Sequence, residues 1–159
     1  MKYNPSSLAD RIDLAKQLQA LFERSGFKKI ESSGEDVYAY EFPLMPRTRI
    51  LVYSTIVHGC VRGDGADAIR VAGVYTRQDG QVRGIVSDTR VNRTGDIEGI
   101  VARTRERMRG VYAELRDRST NKLCKKCNAP LFISKQGNEV CAETCWLKKD
   151  NHGKRSNCN

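Results

Sequence analysis

Four cysteines fall within 22 residues: Cys124-Lys-Lys-Cys127, thirteen residues, then Cys141-Ala-Glu-Thr-Cys145. Two short cysteine loops separated by about 10–20 residues have the spacing of a structural zinc site. Tetrahedral zinc needs four soft ligands converging on one point, and each short loop supplies two thiolates from a single turn. The expected ligands are therefore Cys124, Cys127, Cys141 and Cys145, and the expected cofactor is structural Zn2+. The same thiols could instead pair as disulfides or hold an iron–sulfur cluster. The N-terminal segment MKYNPSSLAD lacks the apolar stretch of a secretory signal. This predicts an intracellular setting, where thiols stay reduced, without separating cytoplasm, nucleoid and nucleus.

Between the cysteine loops, Leu131-Phe132-Ile133 and Glu139-Val140 read as the arms of a hairpin turned at Gln136-Gly137-Asn138. That hairpin would bring the two loops together. So small a unit buries too little apolar area to fold without a metal. The segment Cys-Lys-Lys-Cys-Asn-Ala-Pro-Leu, followed by a hairpin and a second cysteine pair, resembles a zinc ribbon over about residues 122–147. Its second loop has three intervening residues where two are commoner. Cys60 lies in an apolar stretch and reads as a small buried hydrophobe. Cys158 reads as a free thiol in a polar tail, and His152 as a solvated histidine rather than a fifth ligand.

The 159 residues carry a net charge of +9, unevenly placed. Residues 1–46 are slightly acidic, while residues 47–95 hold 8 basic and 4 acidic groups and residues 119–159 hold 8 and 3. From Arg47 to Arg118 there are 14 arginines and no lysine; beyond Arg118 there are 7 lysines and one arginine. This shift divides the chain into a body (1–118), a ribbon (119–147) and a basic, flexible tail (148–159). Arginine offers a planar fork to phosphate, and lysine a compact point charge. A polyanion would use both, and nucleic acid is the simplest one. No stretch approaches a membrane span, so no membrane partner is expected. The same charge suits a place in a larger nucleic-acid-processing complex and is compatible with an oligomer.

The elements that must position these groups follow from periodicity. Residues 7–25 read as a helix, begun at Ser7-x-x-Asp10 and stopped at Ser25-Gly26. Strands are expected at 27–32, 36–42, 48–58, 68–76 and 81–91, the last two joined at Asp79-Gly80. The strand at 48–58 is apolar on both faces and should be central. Residues 96–118 read as a second helix. Its core stripe is flanked by Arg105, Arg109 and Arg116 on one edge and by Arg103, Arg107 and Arg118 on the other. The fold class is α+β: a mostly antiparallel sheet of about five strands flanked by two helices, then a small C-terminal zinc ribbon.

With helices on one face, the other face could be open. Tyr38, Tyr40 or Tyr75 would then stack bases, unless their parity turns them into the core. The expected nucleic-acid contacts are Arg47, Arg49, Arg83 and Arg93 on the sheet and Arg103, Arg105, Arg107 and Arg109 on the helix. Lys125, Lys126, Trp146, Lys148 and Lys149 would continue them on the ribbon and tail. Flanking arginines that merely cover the sheet edge are the competing reading. The expected function is nucleic-acid binding, with single-stranded or structured DNA ahead of RNA. A metal-dependent nuclease is the alternative, drawing on Asp64, Asp67 and His58 with Asp88 and Glu98. A regulator that docks an acidic protein through the ribbon is the third reading. No nucleotide-binding or hydrolase motif is present, so no residue is assigned to catalysis.

Overall fold

Leu14, Leu18, Leu21 and Phe22 recur at helical spacing and are all buried along helix α1 (Leu8–Arg24). The Ser7 hydroxyl accepts from the Asp10 N–H at 3.2 Å and caps its start. At its end Gly26 takes a φ of +90°, and the Phe27 N–H returns to the Phe22 carbonyl. The computed structural model describes residues 1–32, 34–56 and 68–144. His58, Cys60, Asp64, Asp67, Cys145, Trp146, Lys148, Lys149, His152 and Cys158 lie outside the described residues.

Five strands follow: β1 (Lys28–Ile30), β2 (Asp36–Glu41), β3 (Thr48–Ser54), β4 (Ile69–Thr76) and β5 (Val82–Arg90). They pair antiparallel in sequence order, so β3, apolar on both faces, is the middle strand. The β4–β5 turn closes at Gly80, whose N–H reaches the Arg77 carbonyl at 2.9 Å. Helix α2 (Ile97–Arg118) is capped by the Asp96 carboxylate, which accepts from the Gly99 N–H. A second, three-stranded antiparallel sheet closes the described chain: β6 (Ser119–Leu123), β7 (Pro130–Ile133) and β8 (Glu139–Cys141). The fold is α+β. Among the described residues no helix is long and apolar enough to cross a membrane.

Both helices pack on one face of the large sheet. Leu18 and Phe22 of α1 share one apolar cluster with Tyr38, Ile50, Val52 and Val71 of the sheet and Ile100, Val111 and Leu115 of α2. This corrects the open-face role of the tyrosines. Tyr38 lies 4.9 Å from Phe22, Tyr40 lies 5.3 Å from Phe27, and Tyr75 is buried. Their parity points toward the helices. The opposite face holds a smaller cluster of Val37, Ala39, Leu51, Ala72 and Val74.

Strand β5 carries two register irregularities against β4, around Ile85 and between Val86 and Thr89. A bulge leaves backbone groups outside the ladder. The arginines on one edge of α2 bond to this stretch. Arg118 donates to the Ile85 carbonyl at 2.8 Å, and Arg107 to the Thr89 hydroxyl at 2.8 Å and the Ser87 carbonyl at 3.4 Å. Arg103 donates to the carbonyls of Asn92 and Thr94 just beyond the strand. These guanidinium groups satisfy main-chain acceptors and hold α2 along β5.

Helix α2 packs closely on the sheet at Gly73. A Cβ there would lie 3.0–3.1 Å from three side-chain carbons of Leu115. Gly73→Val should therefore lower stability by about 1–3 kcal/mol through overpacking. The expected result is an earlier urea midpoint at unchanged slope; an unchanged midpoint would contradict this packing.

Candidate metal centre and basic groove

The first cysteine loop is built by its own backbone. The Cys124 N–H donates to the Ala129 carbonyl at 2.7 Å, and the Asn128 N–H returns to the Cys124 carbonyl at 2.8 Å. Asn128 sits at φ +66°, a left-handed position that asparagine tolerates. This turn sets Cys124 and Cys127 close together. The β7–β8 hairpin, turned at Gly137 (φ +89°), pairs Leu131 with Cys141 and carries the third thiol to the first two.

The Sγ atoms of Cys124, Cys127 and Cys141 all lie within 4.8 Å of one another. The Sγ atoms of Cys127 and Cys141 are 3.4 Å apart. That distance far exceeds a disulfide bond of about 2.05 Å. It sits near the sulfur spacing of about 3.8 Å implied by tetrahedral metal–sulfur bonds of about 2.3 Å. Cys124 and Cys141 are buried and Cys127 half-buried. Ionised thiols this close repel strongly, and a cation at their centre offsets that repulsion. The cluster could hold a metal ion. Thr144, at φ +52°, donates its N–H to the Cys141 carbonyl at 3.0 Å, forming a turn next to Cys145 in sequence.

Charged groups tie the second cysteine loop to the large sheet. Arg83 donates to the Cys141 carbonyl at 2.8 Å and to that of Ala142 at 3.1 Å. Its guanidinium stacks 5.0 Å from the Phe132 ring centroid. Burial first, then the Arg77 charge, pull its pKa below the ordinary arginine value. Glu143 is buried and accepts from the Tyr75 hydroxyl at 2.9 Å and the Gln78 N–H at 2.8 Å. Burial, then the bond to Glu143, raise the Tyr75 pKa. Phe132 and Ala142 join the same apolar cluster as the helices.

The remaining basic candidates divide by contact. Arg47 donates to the carbonyls of Thr76 and Arg77 at 2.8 and 2.9 Å, and Arg83, Arg103 and Arg107 are engaged as described. Arg49 is half-buried in β3, opposite Val74 and Glu41. Arg93 is half-buried and lines a shallow cavity with Lys2 and Tyr3. Lys125 and Lys126 stand exposed on the first cysteine loop. Asp88, a candidate under the nuclease reading, accepts from Arg70 at 2.6 Å, and Glu98 is exposed at the start of α2.

Arg105 and Arg109, on the other edge of α2, have a different setting. With Arg24 from the last turn of α1 they rim a groove of about 350 Å³ between the helices and β2. Its floor includes Phe27, Tyr40, Met108 and Tyr112. The Tyr40 and Tyr112 rings lie 6.2 Å apart at 63°. Sequence reasoning separated the two arginine rows and named Tyr40 as a stacking candidate, but it missed Arg24, Glu143 and the partnering of Tyr40 with Tyr112. Arg24 carried one signal, a cation in the last turn of a helix.

If the cluster holds a metal ion, Cys124→Ser should release it by removing one corner of the site. Elemental analysis of the purified chain should show bound metal falling from about one per chain to near zero. Full retention would contradict the thiolate centre.

No protein-family model, curated protein or solved structure matches this chain, so the cysteine cluster and the groove are identified by their own chemistry alone.

Proposed function

We propose that this chain binds single-stranded nucleic acid and that its cysteine cluster, completed by Cys145, holds a structural zinc ion. The observation that carries the reading is the division among the cations. Arg47, Arg83, Arg103, Arg107 and Arg118 donate to the chain's own carbonyls. Arg24, Arg105 and Arg109 instead gather around an aromatic groove, and Lys125 and Lys126 stand exposed beside the thiols. Cations beside aromatic rings suit a strand with phosphates and unpaired bases. Zinc fits the sulfur-only donor set and serves here by fixing the first cysteine loop, with its lysines, against the second.

Binding of a labelled single strand, followed by fluorescence anisotropy, should weaken about 100-fold between 50 and 200 mM salt if about five phosphates are contacted. Changing Lys125 and Lys126 together to Gln should flatten the log–log salt slope by about 1.4. A salt-independent affinity would refute phosphate contact. A panel of single-stranded DNA, duplex DNA and RNA, scored also for cleavage with divalent metal, separates binding from nuclease activity.

A further inference from the structure

We infer that the groove between α1 and α2 is a nucleotide subsite, taking one unstacked base together with its attached phosphate. The inference rests on the nucleic-acid reading and deepens it by naming the groove and what enters it.

Three features of the groove point the same way. Its lining holds three guanidinium groups and no carboxylate. Arginine forks match phosphate oxygens in pairs. Arg109 is bonded only to Glu106 among the described residues, at 3.3 Å, with both side chains more than 70% exposed. Such a pair is weak in water and yields readily to a phosphate.

The floor supplies ring surface. Tyr40 and Tyr112 are half-buried and line the groove, so each is held by the core yet keeps part of its surface accessible. Tyr112 is fixed edge-on against Phe42 at 5.2 Å, and Tyr40 is tilted by 35° against Phe27 at 5.3 Å. Rings locked this way offer stacking at small entropic cost. Gly26 turns the chain tightly beside this floor. A Cβ at that position would come within 3.4 Å of the Tyr40 ring.

Size completes the case. About 350 Å³ falls at the lower end of the roughly 300–1,000 Å³ of small-molecule sites. A base stacked inside a duplex cannot enter a groove between two helices, so the occupant must be unpaired. It can be a free nucleotide or one residue of a single strand.

The test uses the full chain with deoxyadenosine 5′-monophosphate, a labelled single-stranded 12-mer and the matching duplex. Binding is read by anisotropy, and the Nε–Hε resonances of Arg105 and Arg109 by NMR. The single strand should shift these resonances and outcompete the duplex. The variant carrying both Arg105→Gln and Arg109→Gln, and separately Tyr112→Leu, should each weaken single-strand binding about tenfold or more. Tyr112→Phe should retain it, because the ring and not the hydroxyl stacks, and an unchanged urea midpoint for Tyr112→Leu excludes a folding artefact. Monophosphate shifting the same resonances identifies a free-nucleotide site; shifts from the 12-mer alone identify a strand subsite. If the 12-mer binds but the groove variants bind as the wild type does, the groove inference fails while the nucleic-acid reading stands. If neither probe binds, both are overturned.

Discussion

Arginine donors on main-chain carbonyls hold the second helix against the last strand of the large sheet. Strand β5 is an edge strand broken by bulges, and its displaced carbonyls need donors. Arg107 and Arg118 supply them from α2, and Arg103 supplies the segment that leads into the helix. Together with Leu115 against Gly73, these bonds fix the rotation of α2 about its own axis. The opposite arginine edge is thereby turned toward α1, where Arg105 and Arg109 meet Arg24.

The same chemistry joins the cysteine cluster to the body. Arg83 bonds the carbonyls of Cys141 and Ala142, while Glu143 binds Tyr75 and the turn beyond it. Geometry at the thiols and order in the large sheet are therefore coupled. A metal held by these thiols would steady a loop whose anchors lie in β4, β5 and the turn between them. A buried carboxylate with two donors is stable in place, but costly to leave once either donor is removed.

Periodicity made much of this architecture legible. The double-sided apolar run of β3 marked the middle strand, and Asp79-Gly80 marked a turn. The 100° spacing of α2 separated two arginine rows. Strand β6 escaped because Ser119–Leu123 is polar and largely exposed, with no alternation to reveal it. The tyrosines of β2 and β4 were ambiguous because period-2 patterning gives a face without saying which layer covers it. The arginine rows looked equivalent because what distinguishes them lies elsewhere: bulged carbonyls on one side and a second helix on the other. Glu143 carried no signal at all, since its partners are more than sixty residues away in the chain.

The division between these two rows is tested most directly by comparing the stability of two double variants in urea. Changing Arg103 and Arg107 to Gln should lower stability by about 1–2 kcal/mol, since the β5 end and the segment after it lose four hydrogen bonds from charged donors at exposed acceptors. Changing Arg105 and Arg109 to Gln should leave it within about 0.5 kcal/mol of the parent. Equal losses from both pairs would mean that the groove arginines are structural too, and the account would fail.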